Sequence, residues 1–234
     1  MLEKRSYLRN ILWEIDRPKR SISNSIHLDV GSGGTPRNPF NASELFACDM
    51  LDPEQVNLGC EYIKCNLVGT LPFENDFFSS VSACDVLEHI PRWLKEGSKI
   101  SFPFVNFMNE TFRILRPGGI FYAVTPMFPA SAAFIDPTHV NFIASGTEFY
   151  FGGPNHAKKL GYGFEGEFEI LFAGWLKGAG PYSNNRSLCD EIESEFLSKH
   201  SLVAILKLVN RYLRRIINTY PSHCLWVLQK PNRE

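Results

Sequence analysis

Three groups of residues have types and spacings that could do chemistry. The run Gly31-Ser32-Gly33-Gly34 follows the apolar stretch "IHLDV" and is itself followed by Pro36 and Pro39. Glycines after a strand let the backbone lie against a ligand, because no Cβ intervenes and positive φ costs little. Eighteen residues after Gly31, Asp49 closes a second apolar run, "LFACD", and a carboxylate at a strand end can accept hydrogen bonds from both hydroxyls of a ribose. In "DPTHVNF", Asp136 and His139 follow a third such run, and a histidine is the side chain suited to act as general base at neutral pH.

These residues need elements to position them. Strand-like runs occur at "IHLDV", "LFACDM", "YIKC", "SSVSACDV" and "GIFYAVTP", with a helix expected from about Pro91 to Leu115, broken or kinked near Pro103. Short apolar strands alternating with longer connections predict an α/β fold with a mostly parallel sheet and right-handed crossovers. Ligands bind such sheets at the carboxyl ends of the strands, where the glycine bend and Asp49 fall. "FEGEFEILFAGWL" and "HCLWVLQK" alternate like strands, and the latter is expected to return antiparallel at the sheet edge. Two further helices are expected: an amphipathic one near the start, with Leu8, Ile11, Leu12 and Ile15 on one face, and one from about Ser187 to Tyr220.

A chain of 234 residues with 44% hydrophobic content can bury the core of a single domain spanning 1–234, with 1–25 as a helical extension and 177–221 as a helical insertion. A net charge of -1 gives no general attraction to nucleic acid. The six cysteines include no CxxC pair and read as buried, reduced thiols. With no apolar run of about 20 residues and no signal peptide, a cytoplasmic protein is expected. Lys207, Arg211, Arg214 and Arg215 lie among apolar residues at helical spacing, and Lys4, Arg5 and Arg9 repeat the pattern. Such helices can cover the sheet, form a homodimer interface, or rest on an anionic membrane or a lipid-linked acceptor.

The ordered motifs "LDVGSGG", "FACDM", "NLVGTLPFENDFF", "ACDVLEHIP", "ETFRILRPGGIFYAVTP" and "DPTHVNF" resemble those of the class I S-adenosylmethionine (SAM) dependent methyltransferases, particularly the small-molecule type. The resemblance covers about Ile26 to Ile143. It implies a Rossmann-like, doubly wound, mostly parallel seven-stranded sheet with an antiparallel final strand, and SAM as cofactor. Gly31, Ser32 and Gly33 would line the methionine moiety, with Asp29 ordering the loop or meeting the amino group. Asp49 would hold the ribose and Met50 would pack on adenine. Asn66 stands where many relatives have Asp, and its carbonyl can accept from the adenine amino group while the Leu67 amide serves the ring. Asp85 would face the methionine end and the substrate. His139 would be the catalytic base for a small-molecule acceptor, with a hydroxyl on a sugar or lipid-linked glycan as the expected class.

"DVLEH" also resembles the cation-binding element of some catechol-type O-methyltransferases. The same run is widespread in relatives where Glu88 and His89 shape the pocket wall, so no metal is expected. Two other functions share the fold. An NAD(P)-dependent enzyme is disfavoured because Pro36 interrupts the G-x-G-x-x-G fingerprint. A catalytically inactive SAM-binding or regulatory protein is made conceivable by Asn66 and by "FFSS" at the start of strand four.

Overall fold

The computed structural model describes residues 25–56, 59–153, 161–175 and 222–232. The helices expected near the start and at 187–220, with the extension, the insertion and their basic faces, lie outside these residues. Among the described residues no helix is long and apolar enough to cross a membrane.

Seven strands form one sheet: β1 (Ile26–Val30), β2 (Glu44–Asp49), β3 (Glu61–Lys64), β4 (Phe78–Cys84), β7 (Leu115–Pro126), β8 (Glu169–Trp175) and β9 (His223–Gln229), in the order β3-β2-β1-β4-β7-β9-β8. β3, β2, β1, β4 and β7 are mutually parallel, and β9 runs antiparallel to both of its neighbours. The α/β class and the antiparallel final strand are as expected. Its place is not: β9 inserts between β7 and β8, and β8 takes the edge. Both rows of β9 hydrogen-bonding groups are therefore paired, which suits its uninterrupted buried run Cys224–Leu228.

The connections depart from regular winding. β1 and β2 are joined by residues 31–43 without a helix, as Pro36 and Pro39 foreshadow. Phe40 does the covering instead, its ring 5.5 Å from His27 and edge-on to Tyr122 at 5.9 Å. Ser25 receives the loop's end, its carbonyl accepting from the Glu44 amide.

The helix expected over 91–115 is half that length. Residues 94–101 form a hairpin of β5 (Leu94–Glu96) and β6 (Lys99–Ser101), turned at Gly97 with φ +61°, and only α1 (Pro103–Ile114) is helical. Pro103 disfavours helical backbone in the residue before it but fits the first helical position, so it opens the helix rather than kinking it. Phe104, Phe107, Met108, Thr111 and Ile114 form the buried stripe of α1. They meet a core that includes Phe78, Phe121, Phe164, Phe168 and Trp226. After α1 the chain bulges at Pro117-Gly118-Gly119, where the β4–β7 register jumps from Phe78–Leu115 to Ser80–Ile120.

Candidate functional site

Strand register assembles the site. Val30 lies opposite Cys48 on one side and Ala83 on the other, and Cys84 lies opposite Val124. The residues that follow, Gly31, Asp49, Asp85 and Thr125, are thus brought into a row along one sheet edge. β9 begins at that edge, because His223 pairs with Pro126.

The glycine bend is held tightly at that row. Gly31 has φ +62°, and a Cβ built there would stand 2.2 Å from Val86 Cγ2. The Gly31 amide donates to the Cys48 carbonyl at 2.8 Å. Gly33 also has positive φ, +58°, but a Cβ there would meet nothing within 4 Å. Asp49 ties the two ends together: Oδ2 accepts from the Gly33 amide at 2.9 Å, and Oδ1 from the Met50 and Leu51 amides at 2.7 and 3.2 Å. Three of a carboxylate's roughly four acceptor sites are used, which leaves Oδ2 the freer oxygen for an incoming hydroxyl. Met50 beside it is 64% exposed.

Two of the expected cofactor residues work from beneath. Asp29 is fully buried. It accepts from Ser82 Oγ at 2.6 Å and from the Arg37 amide at 2.8 Å, so it fastens the loop to β1 and β4 rather than presenting itself to a ligand. Burial pushes its carboxyl up to about 6, against the pull of the Ser82 and Arg37 hydrogen bonds. Because Ser82 spends its proton on Asp29, it accepts from His27 Nε2 at 2.9 Å, which leaves Nδ1 to accept from Ser80 Oγ at 2.8 Å. Burial drives the His27 ring down to about 3. Ser32 is also buried, its hydroxyl turned to the Gly33 carbonyl. Asn66, exposed after β3, holds its side-chain carbonyl on the Val68 amide at 3.0 Å, and Leu67 leans on the core.

The other end of the row gathers acids and imidazoles. Asp85 sits at φ +55°, unusual for a non-glycine residue, and its Oδ1 lies 3.2 Å from His223 Nε2. Glu88, 2% exposed, accepts from Thr125 Oγ1 through Oε2 at 2.9 Å, while its buried Oε1 has no hydrogen-bond partner. Burial raises its carboxyl, and the nearby Asp85 adds to that. His139 turns Nε2 toward this oxygen at 4.0 Å and toward Asp136 Oδ2 at 3.9 Å. The His139 and His89 rings meet edge-on at 4.8 Å. The loop bearing His139 is strapped down by the Val140 and Asn141 amides, both donating to the Glu88 carbonyl at 2.9 Å, and by Asn141 Nδ2 donating to the Leu87 carbonyl at 2.8 Å.

The structure thus joins Gly31, Gly33, Asp49 and Met50 in one patch and His139 with Glu88, His89 and Asp136 in another. Thr125 and His223 escape sequence reasoning. Thr125 was legible as a strand-end residue, but His223 reaches the edge only through the register of a strand a hundred residues away.

No protein-family model matches the chain, and no curated protein matches its sequence. Solved structures do match in fold. One is a protein of Bacillus halodurans assigned to the methyltransferases, 16% identical, with TM-score 0.52 over 96% of this chain and 99% of that one. Another is a SAM-dependent methyltransferase of Archaeoglobus fulgidus, 14% identical, with TM-score 0.51 over 98% and 93%. The fold is that of the class I SAM-dependent methyltransferases. The [4+2]-cyclase SpnF matches equally well, at 14% identity and TM-score 0.51 over 97% of this chain and 81% of that one, so this fold carries more than one reaction.

Proposed function

We propose that this protein binds SAM along the ends of β1, β2 and β4 and transfers its methyl group to a hydroxyl of a small-molecule acceptor. The observation that carries this reading is the pairing of Gly31 and Gly33. One left-handed glycine is pressed against Val86, and the next, fastened to Asp49, has open space where its side chain would be. That space would take the methionine moiety, with the freer Asp49 oxygen on the ribose and Met50 against adenine.

Methyl transfer from a sulfonium needs alignment more than covalent help. The acceptor oxygen gives up its proton and attacks the methyl carbon, the carbon–sulfur bond breaks with its electron pair going to sulfur, and S-adenosylhomocysteine (SAH) leaves. His139, in the acid–imidazole cluster on the acceptor side, would take that proton as the general base. On the segment that carries His139 and the turn before it, Phe128, Phe134 and Phe142 are 53%, 49% and 43% exposed, and Phe134 stacks on Phe142 at 4.8 Å. Such an aromatic face suits an acceptor with an apolar side, as the ring of a sugar has.

Calorimetry with SAM, SAH and NAD(H) tests cofactor choice, followed by incubation with methyl-labelled SAM and a panel of hydroxyl acceptors. Binding of SAH without NAD(H), and label appearing in a hydroxylated product, is the expected outcome. Binding of SAM with no transfer to any acceptor class would instead favour a non-transferring use of the fold.

A further inference from the structure

Where the sequence leads to a metal-free site, the geometry points to a divalent transition-metal site formed by Glu88, His89 and His139, with Asp136 as a further oxygen donor. One ligand atom from each of the first three lies within 4.8 Å of the others. The polar groups of this cluster leave room for a cation rather than satisfy one another. Glu88 Oε1 is buried and unpartnered, and it faces His139 Nε2 at 4.0 Å, too far for a hydrogen bond. A buried, orphaned carboxylate oxygen is costly unless a proton or a cation meets it. Two ligands bound to one ion at about 2.1 Å and a tetrahedral angle stand about 3.4 Å apart, so the Glu88–His139 gap needs to close by only about half an ångström.

His89 is prepared for the same task. Thr138 Oγ1 donates its proton to Asp136 Oδ1 at 2.7 Å, so toward His89 Nδ1, 3.1 Å away, it can only accept. Nδ1 therefore carries the ring proton, with the Thr138 carbonyl 3.3 Å away as a second acceptor, and Nε2 keeps its lone pair. Ligating histidines are commonly oriented in this way, the second nitrogen donating to a carbonyl or other oxygen. On the other side, Thr125 holds the second oxygen of Glu88. Two imidazoles with carboxylate oxygens suit Zn²⁺, Fe²⁺, Co²⁺ or Mn²⁺ better than Mg²⁺ or Ca²⁺, which take oxygen ligands.

The site itself is independent of the proposed methyl transfer; its use rests on that reading. An acceptor hydroxyl bound to the ion would lose its proton to water more readily, because a bound cation lowers the pKa of a coordinated oxygen. His139 would then serve as a ligand and not as a free base.

The test is a Co²⁺ titration of the intact chain without SAM, followed by visible absorption and by melting temperature. One ion per chain is expected, with ligand-field bands, no thiolate charge-transfer band and a rise in melting temperature. Removing an outer-shell partner of a metal ligand weakens binding by roughly ten- to a hundredfold, so His89→Ala and Glu88→Gln should weaken it at least that much. His89 is exposed, so its variant decides the matter if Glu88→Gln does not fold. No Co²⁺ binding, binding unchanged in His89→Ala, or thiolate bands that place the ion on cysteines would each overturn the inference. Cobalt binding by a chain that does not bind SAM would sustain the site while removing the methyltransferase reading.

Discussion

Gly31→Ala tests the loop geometry that cofactor binding requires. Two separate costs apply. A Cβ at φ +62° costs about 1–2 kcal/mol, as for any left-handed L-residue other than glycine. The same Cβ would stand 2.2 Å from Val86 Cγ2, and Val86 is only 6% exposed, packed in the main core beside Leu87. Overpacking of that kind costs a further 1–3 kcal/mol or so. Gly33→Ala carries the first cost without the second, since its Cβ meets nothing within 4 Å. Urea unfolding should therefore show Gly31→Ala destabilised by about 2–5 kcal/mol and Gly33→Ala by about 1–2 kcal/mol. Val86→Ala, harmful alone, should rescue part of the Gly31→Ala loss, with a coupling of about 1–3 kcal/mol in the double-mutant cycle. Gly33→Ala should instead lower SAM affinity in a folded protein, because its methyl enters the space assigned to the cofactor. Equal destabilisation by the two alanines, or no coupling to Val86, would refute the close approach at Gly31.

Asp49→Ala should weaken SAM by about 1–3 kcal/mol in calorimetry, the range for a lost hydrogen-bond partner, and unchanged affinity in a folded variant would remove the ribose role. Two buried groups give opposite pH dependences. His27, lowered from 6.5 to about 3, contributes stability that is present above 6.5 and lost as pH falls toward 3. Asp29, raised from 3.8 to about 6, contributes stability that is full below 3.8 and lost as pH rises through 6, amounting to about 3 kcal/mol. The two partly cancel between about pH 4 and 6, so as pH falls from 6 to 4 Asp29→Asn, left with the His27 loss alone, should lose up to about 3 kcal/mol more than the parent, and parallel stability curves would contradict the assignment. Lys230 Nζ donates to Asp76 Oδ1 and to the Phe112 and Leu115 carbonyls, each at 2.7 Å. Lys230→Met leaves all three without this donor and should lower the stability by about 3 kcal/mol in denaturant, whereas a loss below about 1 kcal/mol would mean that solvent replaces it.

What was legible in the sequence is what local chemistry dictates. The bend after β1, the acid closing β2 and the helix-free loop opened by Pro36 are each set by residues adjacent in the chain. The segment 91–101 misleads because Trp93, Leu94 and Ile100 imitate a helix face, although Gly97 and Pro103 mark the hairpin turn and the true helix start. Asp29 and Ser32 have the residue types of ligands but are buried. β1 is a central strand covered on both faces, so alternation along it does not tell an inward residue from an outward one. The acid–imidazole cluster was half visible: "DVLEH" and "DPTHVNF" named its members, but only the strap from Val140 and Asn141 to the Glu88 carbonyl brings them together.

If SAM occupies the row of strand ends from Gly31 to Asp85, isothermal titration of the intact chain with SAH, run beside NADH, will show it. Saturable binding of SAH at one site per chain is expected, weakened in Asp49→Ala and Gly33→Ala, with no heat from NADH. Saturable NADH binding without a response to SAH would contradict it.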